Sequence, residues 1–130
     1  NYCLPILKRR QHQEAIQKAV IDGHSRFFLG TDSAPHARNK KEAACGCAGI
    51  FSAPSALELY AQVFDDEDAL DKFEAFTSLN GPAFYGLGVN EGTLTLKKQE
   101  GRVPGDVPVE GGEAVKPFHA GRTLAWTLVD

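Results

Sequence analysis

Asp32 and His36 stand where an apolar run ends, in the stretch FFLGTDSAPH from Phe27 to His36. A turn calls for Gly, Asp, Ser or Pro, and it has no need of His. At the carboxyl end of a buried strand, a carboxylate could ligate a metal, orient an imidazole or act as a general base. Gly30 lets the backbone pass close to a ligand. Pro35 stiffens the turn and aims His36 back at the same mouth, where its imidazole could donate to an anionic substrate oxygen. The alternative is plainer: Asp32 caps a turn and His36 is an exposed polar residue.

The elements around these two residues read as a βα arrangement. In QHQEAIQKAVID, Gln11 to Asp22, the residues Ala15, Ile16, Ala19 and Val20 make one apolar stripe at helical spacing, and Gly23 follows as a cap. RFFLG, Arg26 to Gly30, is apolar through its middle without alternation, which predicts a strand covered on both faces. A helix, a glycine and a buried strand in succession are half of a repeating α/β unit, and such folds place ligands at the carboxyl ends of their strands. The segment 34–49 has no clear period and predicts a long loop of the kind that carries function.

Helices are expected next over Ser55 to Phe64, with Ser52 or Ser55 as cap, over Asp68 to Phe76, and over Thr77 to Tyr85, with Asn80 as N-cap and Gly86 and Gly88 as stop. After Val89 the pattern changes. GTLTLKK and RTLAWTLVD alternate like strands with one wet face, and the Gly- and Pro-rich EGRVPGDVPVEGG between them predicts turns.

A chain of 130 residues suits one domain. Its net charge of -3 carries no basic surplus for nucleic acid. No apolar run approaches the roughly 18 residues of a membrane span. The odd count of three Cys argues against a complete disulfide framework and for a reducing, cytoplasmic setting. The chain holds no Met and opens on NYCLP, which reads like the end of an apolar element whose beginning is missing, so a piece of a larger protein is expected.

Other candidates carry less. Cys45 and Cys47 are separated by one residue, whereas a structural zinc site wants two separated pairs and a redox pair leaves two residues between its sulfurs. Loop packing is the expected role of both. NGPAFYG has glycines at a helix start but lacks the lysine of a phosphate loop. Trp126 alternates with apolar neighbours and reads as core.

Four strings, NYCLPILKR, FLGTDSAPHAR, KEAACGCAG and FEAFTSLNGPAFYGL, together resemble the C-terminal part of the dihydroorotase family, most closely its short bacterial type. The likeness weakens after Val89. Dihydroorotases are similar to other metal-dependent amidohydrolases, so the resemblance implies an α/β fold: the C-terminal part of a (β/α)8 TIM-like barrel over residues 1–89, with a small extension of short strands over 90–130. It implies reversible, zinc-dependent cyclisation of N-carbamoyl-L-aspartate to dihydroorotate, in de novo pyrimidine synthesis, by a cytoplasmic homodimer.

Carried over by position, Asp32 corresponds to the acid that ligates zinc and serves as general base. His36 corresponds to the imidazole that binds the substrate carboxylate. Leu4 and Ala48 correspond to positions that touch the ring amide through their backbones, which suits side chains with no chemistry of their own. The family's His-x-His pair, carboxylated Lys, two further His ligands and carboxylate-gripping Arg are not in this sequence. His12, His24, His36 and His119 do not pair at ligand spacing. Zinc needs three or four protein ligands and a whole barrel needs about 250 residues. The isolated chain is therefore expected to be inactive, completing its one- or two-ion site only within the rest of the barrel. Two alternatives stand beside this reading: a binding domain derived from the barrel's end, and another cyclic-amide hydrolase.

Overall fold

The apolar stretch at Arg26–Gly30 does not become a strand. In the computed structural model, which describes residues 6–129, residues 27–30 carry no ladder. Their polar backbone groups go instead to a helical segment further along the chain. Leu29 N–H donates to the Phe76 carbonyl at 2.9 Å, and Asn80 Nδ2 donates to the Phe27 carbonyl at 3.0 Å. A buried parallel strand needs neighbours on both sides, and no described residue pairs with this one. Phe28 and Leu29 are only half-buried and Phe27 is exposed.

The chain divides into two compact units. One comprises Lys8–Gly30, Leu57–Gln99 and residues 125–129. Its first helix, α1 (Arg10–Ile21), ends at Asp22 with Gly23 at a φ of 75°, the stop that the sequence predicts. Most of the second long helix, α3 (Ala56–Asp66), also belongs here. The core is Phe64, Ala69 and Phe76, with Val20, Ile21, Leu29, Tyr60 and Phe73 packed against it. The Phe64 ring meets Phe76 at 5.4 Å and Phe73 at 5.5 Å, the latter edge-on at 77°, within the range that aromatic pairs prefer.

The two helices expected over residues 68–85 form a connected run. A 3-10 turn (Leu70–Lys72) leads through a π-helical turn (Ala75–Leu79) into α4 (Asn80–Tyr85). Asn80 N–H reaches back to the Ala75 carbonyl. It leaves the Phe76 carbonyl to Leu29, so the π turn helps to hold the 27–30 segment. Asn80 is accordingly not an N-cap: its side chain is spent on Phe27. Gly86 closes α4 in the left-handed region at φ 67°, where glycine has no steric penalty.

Within this unit Asp65 anchors two residues of the tail. It accepts from Lys98 Nζ at 2.6 Å and from Trp126 Nε1 at 3.2 Å. Trp126 is thus a half-buried side chain with its polar atom satisfied. The Lys98 hydrogen bond holds the Asp65 carboxyl below its ordinary value of 3.8; burial opposes this and Trp126 adds to it. A depressed folded-state pKa contributes stability above 3.8 that is lost as pH falls through the folded value. Asp65→Asn is therefore expected to lower the melting temperature at pH 7. The gap from the parent should close in acid below the usual carboxylate range. Thermal melts across that range check it, and a gap that persists unchanged in acid would count against the ion pair as its source.

The other unit comprises residues 6–7, Thr31–Ala56 and Glu100–Leu124. The loop expected over 34–49 contains one short helix, α2 (Arg38–Lys41). A 3-10 turn (Ala53–Ser55) precedes α3, and Ser52 does not cap it: the Ser52 hydroxyl donates to the Thr31 carbonyl at 3.3 Å. Four strands lie in the tail: β1 (Leu96–Arg102), β2 (Val107–Pro108), β3 (Ala114–Val115) and β4 (Thr123–Leu128). β2 and β3 are antiparallel, Val107 opposite Val115, so the stretch read as turns holds a small ladder. β1 pairs with β4 and starts later than GTLTLKK predicts. In this unit Val103, Val115 and Leu124 are buried.

Candidate active site

Asp32 sits in a loop clamped on both sides. The residue before it, Thr31, accepts a hydrogen bond from Ser52 Oγ at 3.3 Å. The residue after it, Ser33, accepts one from Ala53 N–H through its hydroxyl at 3.1 Å. Ala34 N–H then donates to the Ile50 carbonyl at 2.9 Å. Between these ties the backbone of Asp32 takes a φ of 43°, a left-handed conformation that costs most side chains energy and that Asp and Asn tolerate best. Its side chain is exposed. A carboxylate held outward from a pinned, left-handed backbone is pre-set for a partner that approaches from outside the loop.

The opposing segment comes close because of Gly49. It has a φ of 113°, and a Cβ there would lie 2.4 Å from that of Ala34. Gly49→Ala would add both a clash and backbone strain, so it is expected to cost about 1–3 kcal/mol and to push the 48–50 backbone off the Asp32 loop. Urea unfolding measures the cost; an unchanged midpoint would show that this close approach is dispensable. Ala48, next to it, is exposed, which leaves its main chain open to contact. Cys45 and Cys47 are free thiols, Cys45 exposed. The Cys47 carbonyl accepts from Lys41 Nζ at 2.7 Å, so the loop that carries them is tied down by its backbone. Leu4 lies outside the described residues.

His36 is half-buried and lines a cleft of about 590 Å³. The wall is completed from the tail. Ala37 bridges to Val115, and Phe51 bridges to Pro117; Phe118 N–H donates to the Phe51 carbonyl at 2.8 Å. These contacts bring His119 and Arg122 into the same cleft as His36. Asp32 is not among the residues that line it.

His119 was not singled out in the sequence. Burial holds its imidazole below the ordinary value of 6.5, and Arg122 adds to the effect, so the neutral form is favoured at pH 7. Its φ is 60°. The signal was present in PFHAG, where a His again sits in a turn between Pro and Gly, as it does in TDSAPH.

Among the described residues no three His, Cys, Asp or Glu side chains cluster closely enough to hold a metal ion. Zinc needs at least three protein ligands. The described residues bring no such set together. No helix among them is long and apolar enough to cross a membrane.

The chain is 61% identical to the dihydroorotase of Erythrobacter litoralis over 128 residues, 98% of this chain and 37% of that protein. It is 62% identical to the mitochondrial dihydroorotase of Arabidopsis thaliana over 126 residues, 97% of this chain and 33% of that protein. Its backbone matches the crystal structure of Saccharomyces cerevisiae dihydroorotase in complex with 5-fluoroorotic acid with a TM-score of 0.87, at 32% identity, covering 99% of this chain and 37% of that one. The chain thus spans about a third of the length of these relatives. Its fold class is α/β, part of the (β/α)8 barrel of these enzymes. The amidohydrolase family model matches residues 1–99, three quarters of the sequence, and the chain belongs to the amidohydrolase family.

Proposed function

We propose that the protein carrying this segment is a dihydroorotase. It would interconvert N-carbamoyl-L-aspartate and dihydroorotate in pyrimidine synthesis, as a cytoplasmic homodimer. The observation that carries the reading is the clamped, left-handed Asp32, four residues before an imidazole that faces a cleft. The identity to named dihydroorotases supports it across almost the whole chain. Residues 1–89 then serve as the barrel segment and 90–130 as the extension.

Dihydroorotases of this family are metal-dependent in general. Zinc, as one or two ions, is the metal of this reading, with Asp32 as one ligand. Bound, it would lower the pKa of a water and polarise the ring carbonyl.

In the hydrolytic direction, Asp32 takes a proton from the attacking water while its oxygen bonds to the carbonyl carbon. When the ring C–N bond breaks, Asp32 returns that proton to the leaving nitrogen. One water is consumed, one amide bond is cleaved and the carboxylate ends as it began. In the cyclising direction the same transfers run backwards. His36 binds the substrate carboxylate, and the main chains of Leu4 and Ala48 hold the ring amide. Main-chain donors and acceptors suit an imide because they offer both kinds of partner whatever the side chain.

The test is to purify the full-length protein that contains these residues and to follow ring opening of dihydroorotate and ring closure of N-carbamoyl-L-aspartate. Turnover in both directions is expected, with loss on chelation and recovery on adding zinc. Turnover of a dihydropyrimidine or hydantoin in preference to dihydroorotate would move the assignment to another cyclic-amide hydrolase. Binding without turnover would favour a barrel-derived binding domain.

A further inference from the structure

The cleft beside His36 is far more basic than the chain that builds it. The chain as a whole has a net charge of -3. Yet Arg38, Lys41, Lys116 and Arg122 line the cleft against a single acid, Glu42. Two of these cations have structural work: Arg38 pairs with Asp106 at 2.7 Å, and Lys41 Nζ donates to the Cys47 carbonyl. Lys116 and Arg122 make no side-chain hydrogen bond or ion pair with any described residue. Both are exposed, and two cations without an acid partner among the described residues give this concave wall a positive field that favours an anion.

The rest of the lining is apolar and aromatic. Phe51 and Phe118 are joined by the bond between their backbones, and the Phe118 ring lies 3.9 Å from that of His119. A volume near 590 Å³ is within the range of small-ligand sites. We propose that the wall formed by Lys116, His119 and Arg122 binds the phosphate of a nucleoside monophosphate, with the ligand's ring system lying against Phe51 and Phe118. Two unpaired cations match the charge of about -2 on a phosphate monoester at pH 7, where a carboxylate would need one. A guanidinium fork suits phosphate oxygens. A ring nitrogen of His119 can donate a hydrogen bond to a phosphate oxygen. This site does not depend on the assignment of Asp32, and its ligand need not be a substrate.

Isothermal titration calorimetry on the full-length protein tests it, with adenosine and uridine 5′-monophosphates, the unphosphorylated nucleosides and inorganic phosphate as probes. At least one monophosphate should bind, more tightly than its nucleoside and than inorganic phosphate, and salt should weaken binding. Lys116→Ala and Arg122→Ala should each weaken it about tenfold or more, and Arg122→Lys should restore part of the loss. Circular dichroism and melting temperature of each variant establish that it folds. Lys40→Ala, which removes an exposed cation that does not line the cleft, should leave the affinity within about threefold. Absence of monophosphate binding would overturn the proposal, as would inorganic phosphate binding as tightly. Affinities unmoved in the Lys116 and Arg122 alanine variants, or loss of binding in Lys40→Ala, would overturn it equally. None of these readouts uses turnover, so a failure here is distinct from a failure of the proposed reaction.

Discussion

Asp32→Asn in the full-length protein is expected to abolish turnover while leaving the fold intact. The two halves of that expectation rest on different observations. Folding survives because Asn tolerates a left-handed backbone about as well as Asp does, and φ at this position is 43°. The side chain is exposed, and the ties that pin the loop belong to Thr31, Ser33 and Ala34. Ala at this position would confound the test with backbone strain, whereas Asn isolates the chemistry. Turnover fails because an amide cannot accept the proton of the attacking water. General-base catalysis alone is worth roughly 10²–10⁴ in rate, and a lost metal ligand would deepen the deficit. Steady-state rates of dihydroorotate hydrolysis, beside the melting temperature, decide. A variant within about tenfold of the parent would show that Asp32 is not the base.

His36→Ala is expected to act on recognition. The proposed contact is a hydrogen bond to a substrate carboxylate, and His36 lies half-buried on the cleft wall, where water competes less. A hydrogen bond to a charged group contributes about 1.5–3 kcal/mol, so kcat/KM should fall by roughly one to two powers of ten. An analogue of dihydroorotate lacking its carboxylate sharpens the test. If His36 reads that group, its removal should hardly alter the analogue's processing, because nothing remains for it to recognise. Equal losses for substrate and analogue would assign His36 to positioning the loop.

Much of the local structure was written in short-range signals. The stripe of α1 ended at Gly23 as expected, and Gly86 stopped α4 in the left-handed region. The alternation of RTLAWTLVD became β4. These features depend on neighbours a few residues away, so the sequence alone states them. The family likeness was equally legible, since it rests on the order of unusual strings along the chain.

The Arg26–Gly30 run shows the limit of such reading. Its composition describes a buried strand, but a strand exists only where another backbone lies alongside it. Here Phe76 and Asn80, some fifty residues away in sequence, take its polar groups instead. Asn80 and Ser52 carried the right chemistry for caps and were used for distant contacts.

The residue types at Asp32 and His36, and their place after an apolar run, were determined by the sequence by itself. That Asp32 is held left-handed, that Gly49 lets a second segment close on Ala34, and that His119 and Arg122 share a cleft with His36 were decided only by tertiary structure. The physical reason is separation: His119 lies 83 residues beyond His36, and no periodicity or spacing rule reaches that far. The two meet because Ala37 bridges to Val115 and Phe51 to Pro117, and those are contacts that a chain acquires only by folding.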